Sequence, residues 1–206
     1  KHSTDAISIQ IKMSSRIGFM QGRLSPVVEG RIQAFPWEYW QAEFALARMN
    51  GFDLMEWTLD QDRLYENPLM NSAGQAEIAE LRHAHGMFIA SLTGDCFMQS
   101  PFWKTTGAVS EQLQEDFRAV AGACSVVGIS MMVLPLVDNG SLSSSAEEDK
   151  LIDVLKNHTG LLHRLGVKVG FESDYPPTDL QRFINRLDPA VFGVNYDIGN
   201  SAALGM

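Results

Sequence analysis

The chain is 206 residues long, 45% hydrophobic and 20% charged, with 17 glycines and 8 prolines, which excludes a disordered, collagenous or coiled-coil protein. Sixteen basic against 25 acidic residues leave a formal charge of −9, which disfavours nucleic-acid and anionic-membrane partners. No apolar run approaches the roughly 18 to 20 residues of a membrane helix, and two cysteines, Cys96 and Cys124, are too few for a disulfide scaffold, so a reducing, cytoplasmic location is expected.

The opening segment, Lys1–Ser15, lacks the long apolar stretch of a signal peptide and reads as an accessory extension; residues 16–206 read as one domain. Within it one unit recurs. An apolar stretch ends in polar or acidic residues, and a loop and an amphipathic helical segment follow. The strand-like stretches are Arg16–Leu24, Phe52–Leu59, Met87–Thr93, Ser130–Val137, Lys168–Ser173 and Phe192–Tyr196. Between them the first helix spans Pro36–Asn50, with proline near its start and Gly51 just past its end. Ser72–His85 closes with Gly86, and Ser110–Val127 with Gly128. Ser145–Leu165 closes with Gly166 and opens with Ser145 as N-cap and Glu148 three residues on. Thr178–Leu187 is stopped by Asp188-Pro189.

Strands alternating with helices predict βαβ units and a parallel sheet, either an open doubly wound sheet or a closed barrel. Two observations favour the barrel. No Gly-x-Gly-x-x-Gly turn follows the first strand. Polar side chains also gather at the C-terminal end of nearly every strand: Gln21 and Arg23, Glu56, Asp95, Asp138 and Asn139, Glu172, then Asn195 and Asp197. In a (β/α)8 barrel the loops at that end converge on one site. The expectation is a TIM barrel of which about six βα units are present, the chain stopping at Met206 soon after the sixth strand.

Strand alternation sends Glu172, Gly170 and Lys168 to one face and Val169 and Phe171 to the other. The same parity groups Asp197 with Asn195, opposite Val194 and Tyr196. Other residues admit two readings each. Glu56 contacts a substrate hydroxyl or pairs with Arg23. Arg23 and Gln21 anchor a polar substrate, or Arg23 only neutralises the acidic ring. Asp95 belongs to the pocket or to a turn, Asp197 is a ligand or a turn cap, and Trp57 and Phe97 wall the pocket or fill the core.

The segments "IGFMQGRLSP" (Ile17–Pro26), "GFDLMEWTLD" (Gly51–Asp60), "SLTGDCFM" (Ser91–Met98), "LPLVDNGSL" (Leu134–Leu142), "GFESD" (Gly170–Asp174) and "NYDIGNSAALG" (Asn195–Gly205) resemble the xylose-isomerase-like barrel superfamily, specifically its sugar-phosphate isomerase/epimerase group. The resemblance implies a divalent metal held by Glu, Asp, His and Glu from strands 5 to 8. Glu172 falls on the first of these positions and Asp197 on the second; the other two lie past the end of this chain. It further implies a sugar or sugar phosphate as partner, with self-association compatible, and isomerase or epimerase activity in the full-length form.

Epimerisation beside a ketone requires removal of a carbon-bound proton and stabilisation of the enediolate. A divalent ion supplies the stabilisation, and a carboxylate takes the proton. Glu172 is the candidate acid/base as well as a ligand, with Gln21, Arg23, Glu56, Asp95, Asp138, Asn139 and Asn195 as candidate substrate contacts. Oxygen-rich ligands favour Mn²⁺ or Mg²⁺, with Co²⁺ or Zn²⁺ compatible. Two alternatives share the fold: a phosphodiesterase of the endonuclease IV type, and a truncated homologue without catalysis.

Overall fold

The structure, a computed structural model, describes residues 17–28, 30–31 and 33–203; the accessory extension expected over 1–15 lies outside them. Six strands form one parallel sheet: β1 (Phe19–Met20), β2 (Leu54–Thr58), β3 (Phe88–Thr93), β4 (Met131–Leu136), β5 (Lys168–Ser173) and β6 (Phe192–Val194). Each pairs with the next in chain order. A doubly wound sheet reverses its strand order at a switch point. Here every crossover steps one strand in the same direction, as in a (β/α) barrel.

The helices are α1 (Ala42–Met49), α2 (Ser72–His85), α3 (Asp95–Gln99), α4 (Gly107–Val127), α5 (Ser145–Leu165), α6 (Pro177–Ile184) and α7 (Ile198–Ala203). The bounds of α2 and α5 match those read from the sequence, and each ends on a glycine in the left-handed conformation, Gly86 at φ 61° and Gly166 at φ 68°. The cap of α5 is corrected by one residue. Ser144, not Ser145, accepts the Glu147 N–H, and the Glu147 carboxylate reaches back to the Ser143 N–H at 2.8 Å. The first helix is shorter than Pro36–Asn50, because the chain there follows aromatic packing. Phe35 and Trp40 settle on Trp57 of β2, with ring centroids 5.5 and 5.8 Å apart.

β1 is also shorter than its apolar pattern. Gln21 still donates its N–H to Glu56 O at 2.9 Å, but Gly22, at φ 91°, then turns the chain away. The carboxylate of Glu43, on α1 and fully buried, accepts the N–H groups of Gly22 and Leu24 at 2.8–3.0 Å. Sequence alone gave no hint of this buried prop.

The core lies between sheet and helices, where Met55, Trp57, Met132, Leu134, Val169 and Phe171 are buried. In β3 the alternation is broken. A register shift pairs Met55 with Ile89 but Glu56 with Ser91, a bulge that lets Ile89 and Leu92, three residues apart and both buried, share the helix-facing side. On that same side of β6, Val194 is 48% exposed.

Candidate functional site

Pairing fixes which side chains face the barrel axis. Phe171 packs against Phe183 of α6, ring centroids 5.1 Å apart, so it faces the helices and the next residue, Glu172, faces inward. Val194 is in register with Phe171, and the following Asn195 donates its N–H to Phe171 O at 2.9 Å. Asn195 therefore turns to the same side as Glu172, and Asp197, beyond the end of β6, joins them at the cavity. All three line one cavity of about 770 Å³ at the C-terminal ends of the strands.

The opposite wall of that cavity comes from β1 to β3 and holds Met20, Arg23, Glu56, Thr93 and Asp95. Glu56 accepts the hydroxyl of Ser91 at 2.7 Å, and burial raises its pKa. Asp95 is 4% exposed and accepts the Gln33 amide on both oxygens, at 2.8 and 2.7 Å. Burial pushes its carboxyl up to about 6; Asp60 and Glu56 add to the rise, while the Gln33 hydrogen bonds and the charge of Arg23 oppose it. Behind it Asp60, also buried, accepts the Phe35 N–H and the Gln99 amide, both at 2.8 Å. Asp138, exposed at the rim after β4, lies in the left-handed region at φ 49°.

Two of the expected contacts sit elsewhere. Gln21 is 1% exposed and lies past the end of β1, where its Oε1 accepts the Thr58 N–H of β2 at 3.2 Å and its carbonyl accepts the Thr58 hydroxyl at 3.0 Å; it does not line the cavity. Asn139 spends its amide on the carbonyls of Met98 and Gln99, at 3.0 and 3.2 Å. It ties the turn after β4 to α3 and does not line the cavity. Trp57 and Phe97 belong to the core: the indole N–H of Trp57 donates to Asn67 at 3.2 Å, and Phe97 packs on Phe117. Gln33 and Gln99, which no pattern singled out, line the cavity, and so does Tyr196, which alternation assigned to the face opposite Asn195 and Asp197; β6 ends at Val194, so the period-two rule does not reach it.

Glu172 and Asp197 supply hard carboxylate oxygens to one wall, which suits a divalent ion of the Mn²⁺ or Mg²⁺ kind. Among the described residues no three His, Cys, Asp or Glu side chains gather as a metal site. His158 is engaged in the helix layer, with Val154 O at 2.7 Å and Arg118 at 2.9 Å. His163 meets Asp188 at 3.0 Å. A second depression of about 550 Å³ lies between β6 and α6 and shares Glu172, Asn195, Tyr196 and Asp197 with the first; its other walls are largely apolar.

Among proteins of curated function, none matches the chain by sequence. Solved structures match it by fold. The 3-keto-D-glucoside 4-epimerase YcjR from E. coli superposes with a TM-score of 0.65 at 15% identity, covering 91% of this chain and 70% of that one. A D-psicose 3-epimerase, crystallised in the presence of D-fructose, gives 0.61 at 11% identity, covering 81% and 63%. A sugar phosphate isomerase/epimerase from Parabacteroides distasonis gives 0.61 at 13% identity, covering 100% and 73%. This chain thus spans about two thirds of the length of these relatives. A family model described as xylose isomerase-like TIM barrel matches residues 44–206. With most of its length matched and six parallel βα units in barrel order, the chain belongs to the xylose isomerase-like TIM barrel family.

Proposed function

We propose that the chain carries the β1–β6 part of a metal-assisted sugar isomerase or epimerase site. The observation that carries this reading is the meeting of Glu172, Asn195 and Asp197 on one wall of a cavity whose facing wall holds Arg23, Glu56 and Asp95. Such a cavity offers hydrogen-bonding groups on both sides of a small polyhydroxylated molecule. Structural relatives named as epimerases, one of them crystallised with D-tagatose, support a sugar as the ligand. A relative crystallised with a zinc atom supports a divalent metal as cofactor. Two free, buried thiols support a cytoplasmic location.

In this reading Glu172 and Asp197 would hold the ion, which when bound would supply Lewis acidity to the sugar's carbonyl. Glu172 takes the proton from the adjacent carbon. Asn195 and Glu56 bind hydroxyl groups, and the Ser91 hydroxyl fixes the orientation of the Glu56 carboxyl. Arg23 balances part of the charge on the acidic wall, where it already favours the ionised form of Asp95.

The test is exchange of the carbon-bound proton. The protein is incubated in D2O with Mn²⁺ and D-fructose or D-tagatose, the Mn²⁺ is removed, and deuterium at the carbon next to the carbonyl is followed by NMR. Exchange is expected, with Glu172→Gln at least 100-fold slower, the lower end of what a general base contributes. No exchange in the unaltered protein, or equal exchange in the variant, overturns the reading.

A further inference from the structure

Taking the cavity as a sugar site, we infer that it selects an uncharged polyhydroxylated sugar and rejects the corresponding phosphate ester. The inference rests on that reading and adds the substrate's charge to it. Five carboxyl groups line the cavity, from Glu56, Asp95, Asp138, Glu172 and Asp197, and Arg23 is the one cationic side chain among the described lining residues.

Their distribution matters as much as their number. Glu56 and Asp95 stand on the β2–β3 wall, Asp138 on the rim after β4, and Glu172 and Asp197 on the β5–β6 wall. A compact space of this volume is only about 11 Å across, comparable to the roughly 10 Å over which 0.1 M salt screens charge. A dianion therefore finds no position in it remote from a carboxylate. The charge of Arg23 acts on Asp95 as well. A divalent ion at Glu172 and Asp197 would offset those two groups and leave Glu56, Asp95 and Asp138 beside the guanidinium of Arg23.

The hydrogen-bonding chemistry points the same way. Ionised carboxylates only accept, and sugar hydroxyls donate. Phosphate oxygens are acceptors as well, and a like-charge contact in a partly buried site opposes binding.

The experiment is calorimetric titration of the 206-residue chain with D-fructose and, separately, D-fructose 6-phosphate, each without metal and with Mg²⁺. D-Fructose should bind at least tenfold more tightly, about 1.4 kcal/mol, under both conditions. Asp138→Asn, an exposed position, and Glu56→Gln, which keeps an acceptor for Ser91, should each narrow the gap at least twofold. An ester that binds as tightly as the free sugar, or a gap that neither variant narrows, overturns the inference while the sugar reading stands. Binding of neither compound overturns both.

Discussion

Gln33 donates its side-chain amide to both oxygens of Asp95, at 2.8 and 2.7 Å, and so joins the loop after β1 to the end of β3 across 62 residues of sequence. The pair sits on the cavity wall, and Asp95 is almost wholly buried. Two donated hydrogen bonds favour the ionised carboxyl, yet burial outweighs them and holds it near 6. The site therefore contains a carboxyl that changes charge close to neutrality without being a terminal surface group.

That balance predicts a pH-dependent stability difference. The folded protein holds the Asp95 proton more tightly than the unfolded chain, whose carboxyl has the ordinary value of 3.8. The associated stabilisation is complete below that value and is lost as pH rises through about 6. Asp95→Asn keeps the shape and an acceptor for Gln33 but carries no charge. At pH 8 the variant should be more stable by about 1–3 kcal/mol, an advantage that fades as pH falls towards 4. Urea unfolding of both proteins at pH 8, 6 and 4.5 measures it.

Glu148 predicts the opposite pH trend. Its buried carboxylate receives both terminal nitrogens of Arg182 (2.5 and 2.7 Å), Arg186 (2.6 Å) and the Tyr175 hydroxyl (3.0 Å), joining α5 to α6. The hydrogen bonds from Arg182 lead in lowering its pKa. Its stabilisation is present above the ordinary value of 4.5 and disappears as pH falls through the lowered one. Glu148→Gln should cost about 2–4 kcal/mol at pH 7, and the cost should shrink in acid. Thermal melts at pH 7 and pH 3 read both.

Phe171 predicts a packing loss next to the site. It is fully buried between Phe183 and Phe192, at 5.1 and 6.1 Å. Phe171→Ala should destabilise by about 3–5 kcal/mol, measured by denaturant midpoint. Phe171→Leu keeps most of the volume and should cost less than half as much.

Asn139 separates a structural role from a binding one. Its amide serves the carbonyls of Met98 and Gln99, so Asn139→Ala should lower stability by about 1 kcal/mol. D-Fructose affinity should change less than twofold. A larger loss of affinity in the calorimeter would show the residue reaching the ligand.

Sequence periodicity and glycine punctuation determined the secondary structure of α2, α5 and β5 almost to the residue, because local capping and alternation are enough there. They also fixed which face each β5 side chain takes, since a register of period two leaves one choice once Phe171 and Val169 are assigned to the core, but the alternation read on to Tyr196 does not hold, because β6 ends at Val194 and Tyr196 lines the same cavity as Asn195 and Asp197. Position at a strand end misled for Gln21, whose chemistry suited a ligand site but whose side chain is buried against the Thr58 backbone of β2. Alternation could not foresee the bulge in β3, which needs the partner strand to be seen. Only the tertiary structure brought Gln33 to Asp95 and Glu43 to the Gly22 turn. Those contacts join loop and helix residues with no local pattern, and they exist because buried carboxylates must find N–H donors wherever the fold delivers them.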